Sequence, residues 1–213
     1  MRDEETGSWW QQVTGEAIQG PLKGAQLRPV YHDELTFALW KQEQPDGRVL
    51  RPDERLAQAG KYAPANWEER MLKVPVMTAA AVDKSLEPRT LVIGVAVNGA
   101  AKAFPLEALL KQSLIVDDVG QVPIFIVLGD DKRSVRAYER TIDGRKLEFF
   151  VKPNTGALTL VDAETGSEWD FAGKATAGQL QGRQLKKIPI LNDYWFDWIT
   201  YHPKSAIYRL GDR

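Results

Sequence analysis

Short apolar runs alternate with turn-forming clusters along the chain, and each run predicts a short element. Leu91-Val92-Ile93-Gly94-Val95-Ala96-Val97 is apolar and β-branched, and Asn98-Gly99 behind it supplies the positive φ angles of a tight hairpin. Residues 100–104 are the return strand, and Pro105 suits the first turn of a short helix over 106–111. Val122 to Leu128 reads as a buried strand, 129–131 as a turn, and 134–140 as a strand with one exposed face. Asp143-Gly144 marks another hairpin leading to a strand at 146–151, and a further strand follows at 158–161. The stretch 173–182 carries three glycines and little periodicity, which predicts a loop. Residues 185–190 predict a strand. Asn192 or Asp193 caps a helix over 194–201 that His202-Pro203 ends, and 35–42 predicts its counterpart. Strands dominate. The expected fold is β-rich α+β, with mixed or antiparallel β units that each carry one or two short helices.

Part of the pattern occurs twice. Glu5-Thr6-Gly7-Ser8 recurs as Glu164-Thr165-Gly166-Ser167, with Asp3 and Asp162 before and Trp10 and Trp169 after. Past a one-residue deletion, Gly15, Ala17, Gly20, Leu22, Gly24, Gln26 and Leu27 pair with Gly173, Ala175, Gly178, Leu180, Gly182, Gln184 and Leu185. Trp40, Pro45 and Arg51 pair with Trp198, Pro203 and Arg209. The twenty-three residues of 5–27 thus hold twelve identities with 164–185, far above coincidence, which reads as a duplication. The expected organisation is the C-terminal half of a first unit at 1–51, a proline-bearing connection at 52–90 and a complete second unit at 91–213. The first unit lacks a counterpart of 91–161. That leaves an open strand edge and predicts docking onto the second unit, self-association, or pairing with a chain that supplies the missing half-repeat.

Composition narrows the function without naming it. The 28 basic and 29 acidic residues among 213 leave a formal net charge of -1, so no whole-chain field for nucleic acid or an anionic membrane exists. Zero cysteines exclude disulfides, thiolate zinc sites, iron–sulfur clusters and cysteine nucleophiles. Apolar runs such as 122–128 are far too short to span a membrane as a helix. The charged start, Met1-Arg2-Asp3-Glu4-Glu5, does not resemble a signal peptide.

Candidate chemistry is sparse. His32 and His202 read as structural or solvated, and two histidines alone make no metal site. Neither a Gly-rich phosphate loop nor a Gly-x-Ser-x-Gly elbow occurs. Asp117-Asp118 and Asp130-Asp131 lack the alternate spacing of a calcium loop and read as turn residues. No catalytic residue, metal ligand or cofactor is therefore expected. The seven tryptophans are the distinctive feature. Trp10/Trp169 and Trp40/Trp198 are equivalent and predict repeated packing, whereas Trp9 stands opposite Glu168. The polar segment after Trp10 has lost both glutamines in the second unit. Trp9, Trp10, Gln12 and Thr14 are accordingly the candidate ligand-facing residues.

Three stretches carry a family resemblance. Asp3 to Ala17, with its Thr-Gly-Ser and Gln-x-Thr-Gly elements, resembles the central segment of the prokaryotic family known as domain of unknown function 3179. Val74-Pro75-Val76, Leu91 to Val95, Asn98-Gly99 and Lys102-Ala103-Phe104-Pro105 are similar to its next stretch, and Trp195-Phe196-Asp197-Trp198 with His202-Pro203 to its closing motif. The resemblance implies an exported protein, periplasmic or extracellular, although the chain's own start leaves a cytoplasmic one open. Members carry a Trp-His-Glu motif and a Cys-Pro-Leu-Cys motif in an N-terminal half that has no match here. The duplication puts residues 112–118 and 126–129 at those positions, with neither His nor Cys, so no catalytic residue transfers. The absence of catalytic groups and the Trp-rich, duplicated scaffold point to a non-catalytic binding or assembly module, the C-terminal part of an exported protein of this family. The alternative is part of an enzyme or metal-dependent redox protein whose active residues lie in a missing N-terminal half.

Overall fold

A computed structural model describes residues 1–28, 30, 32–76 and 83–211. Among these the chain is β-rich, with short helices, in mixed and antiparallel sheets. Residues 1–51 contain β1 (Trp9–Trp10), β2 (Ala17–Gln19) and α1 (Phe37–Glu43). The connection is less featureless than its prolines suggest. It holds α2 (Glu54–Gln58), whose N-cap Asp53 accepts the Arg55 amide at 2.9 Å, and α3 (Trp67–Leu72). Residues 77–82 of that predicted connection lie outside the described residues.

The second unit is layered. β3 (Leu91–Val97) and β4 (Ala100–Pro105) form the predicted hairpin, with Asn98 at φ 49° and Gly99 at φ 75°. α4 (Leu106–Gln112) leads to β5 (Leu114–Val119), a strand that the sequence pattern had not singled out. β5, β6 (Val122–Leu128) and β7 (Val135–Glu139) make an antiparallel meander, and the short pair β8 (Thr141–Ile142) and β9 (Arg145–Lys146) follows. β10 (Phe149–Val151), β11 (Leu160–Asp162), β12 (Glu168–Trp169) and β13 (Ala175–Ala177) form another antiparallel sheet. β13 corrects the predicted loop at 173–182: a bulge at Glu168/Trp169 lets a glycine-flanked segment pair with the Trp strand. β14 (Lys187–Ile188) extends the meander beside β7. β15 (Leu191–Tyr194) pairs with β3 ahead of α5 (Trp195–Tyr201), and β16 (Ala206–Ile207) runs parallel to β4.

Burial on both faces explains the continuous apolar runs. Ile124, Ile126 and Leu128 point from β6 toward Ile93, Val95 and Phe104 of the β3–β4 hairpin, with Leu109 of α4 closing the layer. Phe125 and Val127 point the other way, onto Phe149, Leu160 and Trp169. On the outer face of the hairpin, Val92 and Ala103 pack against Trp195, Trp198 and Ile199 of α5. A Cβ at Gly94 would overlap the Trp198 ring, so glycine is what lets the indole lie on the strand. Asp117 and Asp118 sit inside β5 and not in a turn, and Lys102 Nζ holds Asp117 at 2.6 Å. Asp131 is a turn residue as expected and accepts the Arg133 and Ser134 amides.

Candidate functional site

The Thr-Gly-Ser turns build the scaffold beneath the site. In the first, Asp3 accepts the Thr6 amide at 2.6 Å and the Trp10 indole N–H at 2.8 Å, and Ser8 Oγ accepts the Leu22 amide at 3.1 Å. In the second, Asp162 accepts the Thr165 amide at 2.7 Å and the Trp169 indole at 2.9 Å, and Ser167 Oγ accepts the Leu180 amide at 2.9 Å. A Cβ on Gly20 or Gly178 would come 2.7 Å from the Cα of Ser8 or Ser167, and both glycines have positive φ. These residues are spent on making the turn. The indole and amide donors hold the Asp3 carboxyl down at about 2.

The loops beyond the turns differ. Gln11 Oε1 accepts the Thr14 amide at 2.7 Å, and Gly15 N–H bonds the Gln11 carbonyl at 2.9 Å. The tight loop turns Gln12 and Thr14 toward a cleft of about 800 Å³ lined by residues from 12–34 on one side and from β3 and 189–202 on the other. The four candidate residues therefore separate. Gln12 and Thr14 line the cleft; Trp10 is packed below its own turn with its N–H committed to Asp3; Trp9 is half exposed and does not line the cleft.

The opposite wall comes from β3, residues 189–193 and α5. β15 delivers Asn192 and Asp193, and the helix turn that follows places Asp197, Tyr201 and His202 beside them. Neither Asn192 nor Asp193 caps α5: Tyr194 occupies that position in extended geometry with no side-chain cap, and Asp193 Oδ1 instead accepts the Tyr194 amide at 2.7 Å. Asn192 Nδ2 donates to Glu34 Oε2 at 2.7 Å across the cleft, while its buried Oδ1 has no hydrogen-bond partner among the described residues. His32 Nε2 lies 3.6 Å from Glu34 Oε1. Burial, and then the negative charge of Asp197 and Glu34, push the Asp193 carboxyl up to about 6. The His202 ring stacks 4.0 Å from Trp198, and burial lowers its basicity. The cleft is thus rich in acceptors, and one carboxyl changes charge just below neutral pH. Among the described residues no group of three His, Asp or Glu converges as metal ligands.

Sequence reasoning used Asn192 and Asp193 as caps and had no reason to single out Glu34 or Asp197. Asp193 lies in β15 and Asp197 in the first turn of α5, and only the strand-to-helix corner between them brings the two carboxyls close, which spacing alone did not reveal.

A smaller cavity of about 130 Å³ marks where the units lock. Arg136, 3% exposed, donates to Asp33 Oδ2 at 2.8 Å and to both Glu43 oxygens at 2.7 Å, with its guanidinium 4.8 Å from the centre of the Phe171 ring. Lys187 Nζ adds a contact to Asp33 at 2.5 Å. Thr36, the N-cap of α1, donates its amide to Ser134 and its hydroxyl to Asp131. These polar contacts tie residues 33–43 to residues 131–187 and fix one wall of the cleft against the other.

The profile of the family described as "Protein of unknown function (DUF3179)" matches residues 1–205, nearly the whole chain. The chain belongs to this family. No curated protein and no solved structure matches it. Membership in DUF3179 agrees with the resemblance carried by the Thr-Gly-Ser, Asn-Gly and Trp-Phe-x-Trp motifs, and the family description names no activity.

Proposed function

We propose that this DUF3179 protein is a non-catalytic binding module, made from one and a half copies of a repeated unit, and that its ligand occupies the cleft between them. One observation carries the reading. The cleft is lined by Glu34, Asp193 and Asp197 and by Asn192, whose buried amide oxygen no described residue satisfies. Buried acceptors without partners are costly, and a ligand with donors relieves that cost. The opposing wall adds Gln12 and Thr14 for hydrogen bonding and Val13, Leu27 and Val30 for apolar contact. The arrangement suits a small organic ammonium compound with a short apolar body.

The test is a thermal-shift and NMR titration of the purified chain with ethanolamine, choline and arginine amide, set against acetate, phosphate and glucose. The amines should bind, and bind better above pH 6, where Asp193 is ionised; Asp193→Asn should remove that pH dependence. Equal response to amines and carboxylates, or no effect of Asp193→Asn, would defeat the reading. On the resemblance to exported proteins, we also propose that it works outside the cytoplasm, which fractionation of native cells tests.

A further inference from the structure

Glu34 and Asn192 bridge the cleft, and each is held from behind. Asp33, next to Glu34, accepts from Arg136 at 2.8 Å, and the Thr36 amide donates to Ser134 at 3.0 Å, so the backbone beneath Glu34 is tied down. Asn192 sits in β15, opposite Ile93 of β3. Between them Asn192 Nδ2 donates to Glu34 Oε2 at 2.7 Å. That bond decides which way round the amide sits. Turned over, it would set its own oxygen against a carboxylate oxygen, two acceptors in contact with no proton between them. Glu34 therefore spends the donor of the amide and leaves its acceptor free. Three buried side-chain polar atoms have no partner among the described residues, and only Asn192 Oδ1 belongs to a residue that lines the cleft.

We propose that Glu34 is a positioning residue that sets the ligand class of the cleft: by holding the Asn192 amide it keeps an acceptor unspent, and that acceptor selects primary ammonium compounds over quaternary ones. This rests on the reading of the cleft as an ammonium site and refines it. The carboxylates of Glu34, Asp193 and Asp197 attract any cation, whatever its nitrogen carries. The amide oxygen discriminates. A primary ammonium brings N–H donors that satisfy it, whereas a trimethylammonium head has none and leaves it orphaned. A site that hydrogen-bonds an N–H rejects the analogue lacking one far more strongly than an apolar pocket rejects an added methyl. Asn192 Oδ1 is also closed to water in the free chain. Reaching it takes a small opening of the wall, smaller for a protonated primary amine than for the methyl groups of choline.

The test is the ratio of ethanolamine to choline affinity, from NMR titrations of the full chain at neutral pH. Both compounds carry one positive charge and a hydroxyethyl arm, so the ratio cancels general electrostatics and any loosening of the fold. The wild-type chain should favour ethanolamine roughly tenfold or more. Glu34→Gln lets the amide sit either way round, so the preference should shrink to about threefold or less. Adding Asn192→Asp to Glu34→Gln swaps the roles at constant charge. The introduced glutamine then donates to the introduced carboxylate, whose second oxygen stays unspent, and the preference should return. A wild-type ratio near one, or an unchanged ratio in Glu34→Gln, would overturn the inference while leaving the cleft an ammonium site. So would a loss that the double substitution does not recover, since Glu34 would then act by its own charge. If neither compound binds the wild-type chain, the ammonium reading itself fails and takes this inference with it. Should the variants not fold, the wild-type chain decides: ethanolamine should move the side-chain carbonyl carbon resonance of Asn192 more than choline does, and equal shifts would overturn the inference.

Discussion

Trp10 and Trp169 make the same indole bond to the same aspartate in the same turn, yet only Trp169 has a sheet above it. Around Trp169, Phe149 lies edge-on at 5.8 Å and Phe125 continues the stack. Around Trp10 the neighbouring Trp9, Ile18 and Leu22 remain exposed. A short-range hydrogen-bond network can thus set a turn twice over, while the burial that stabilises it depends on distant strands. Local geometry is cheap to repeat; a core has to be enclosed.

The comparison can be broken most severely at the tryptophans. Trp169→Ala should cost about 3–5 kcal/mol, the range for emptying an aromatic site in a closed core. Trp10→Ala should cost about half as much, because Trp10 is buried only beneath neighbours, Trp9, Ile18 and Leu22, that are themselves exposed. Urea denaturation of both variants decides it, and equal losses would mean that the two environments are equivalent.

Next comes the clamp. Arg136→Met leaves Asp33 and Glu43 without their guanidinium, for a loss of about 3 kcal/mol, the lower end for a broken buried pair since both carboxylates keep some solvent. Its mark is regional: hydrogen exchange at 32–45 should accelerate before the β6–β7 core responds. Uniform acceleration would show that the first unit is not held chiefly by this contact.

A sharper probe of the shared turn is Gly178→Ala against Gly20→Ala. Each new methyl meets the serine backbone at 2.7 Å in a left-handed conformation, so each should cost about 1–3 kcal/mol. Similar values, read from thermal midpoints, would show that the turn is equally rigid in both units even where the cover is not.

The smallest effect is the pH dependence of the cleft. Asp193 is protonated more readily in the folded chain, at about 6, than its ordinary 3.8. Between those values the native state holds the extra proton, so stability falls as pH rises from about 4 to about 6. With the group about half solvated, the loss should be about 1 kcal/mol, after discounting for solvent screening. Asp3 acts oppositely: its stabilisation is lost as pH falls from about 4 toward 2. Asp193→Asn should flatten the slope between pH 4 and 6 and leave the acid limb intact; a slope that survives the substitution would place its source elsewhere.

What could be read without coordinates was what neighbours along the chain decide. Asn98-Gly99 requires positive φ at adjacent positions, and the run at 122–128 cannot be left in water, so the hairpin and the buried strand followed from local chemistry. The paired Thr-Gly-Ser turns were legible for the same reason, since Asp, Thr and Ser satisfy one another within a few residues. The cleft was not. Gln12 and Thr14 face Asn192 and Asp193 across contacts such as those of Arg136 with Asp33 and Glu43, which span more than ninety residues of chain, and no pattern within either segment encodes that approach. Strand β13 escaped for a related reason: glycine-rich backbone has weak local preference, and pairing with β12 across a bulge supplied the order. Sequence by itself determined which turns form and which residues seek cover. Tertiary structure decided which of them receive it, because burial depends on what the rest of the chain can bring alongside.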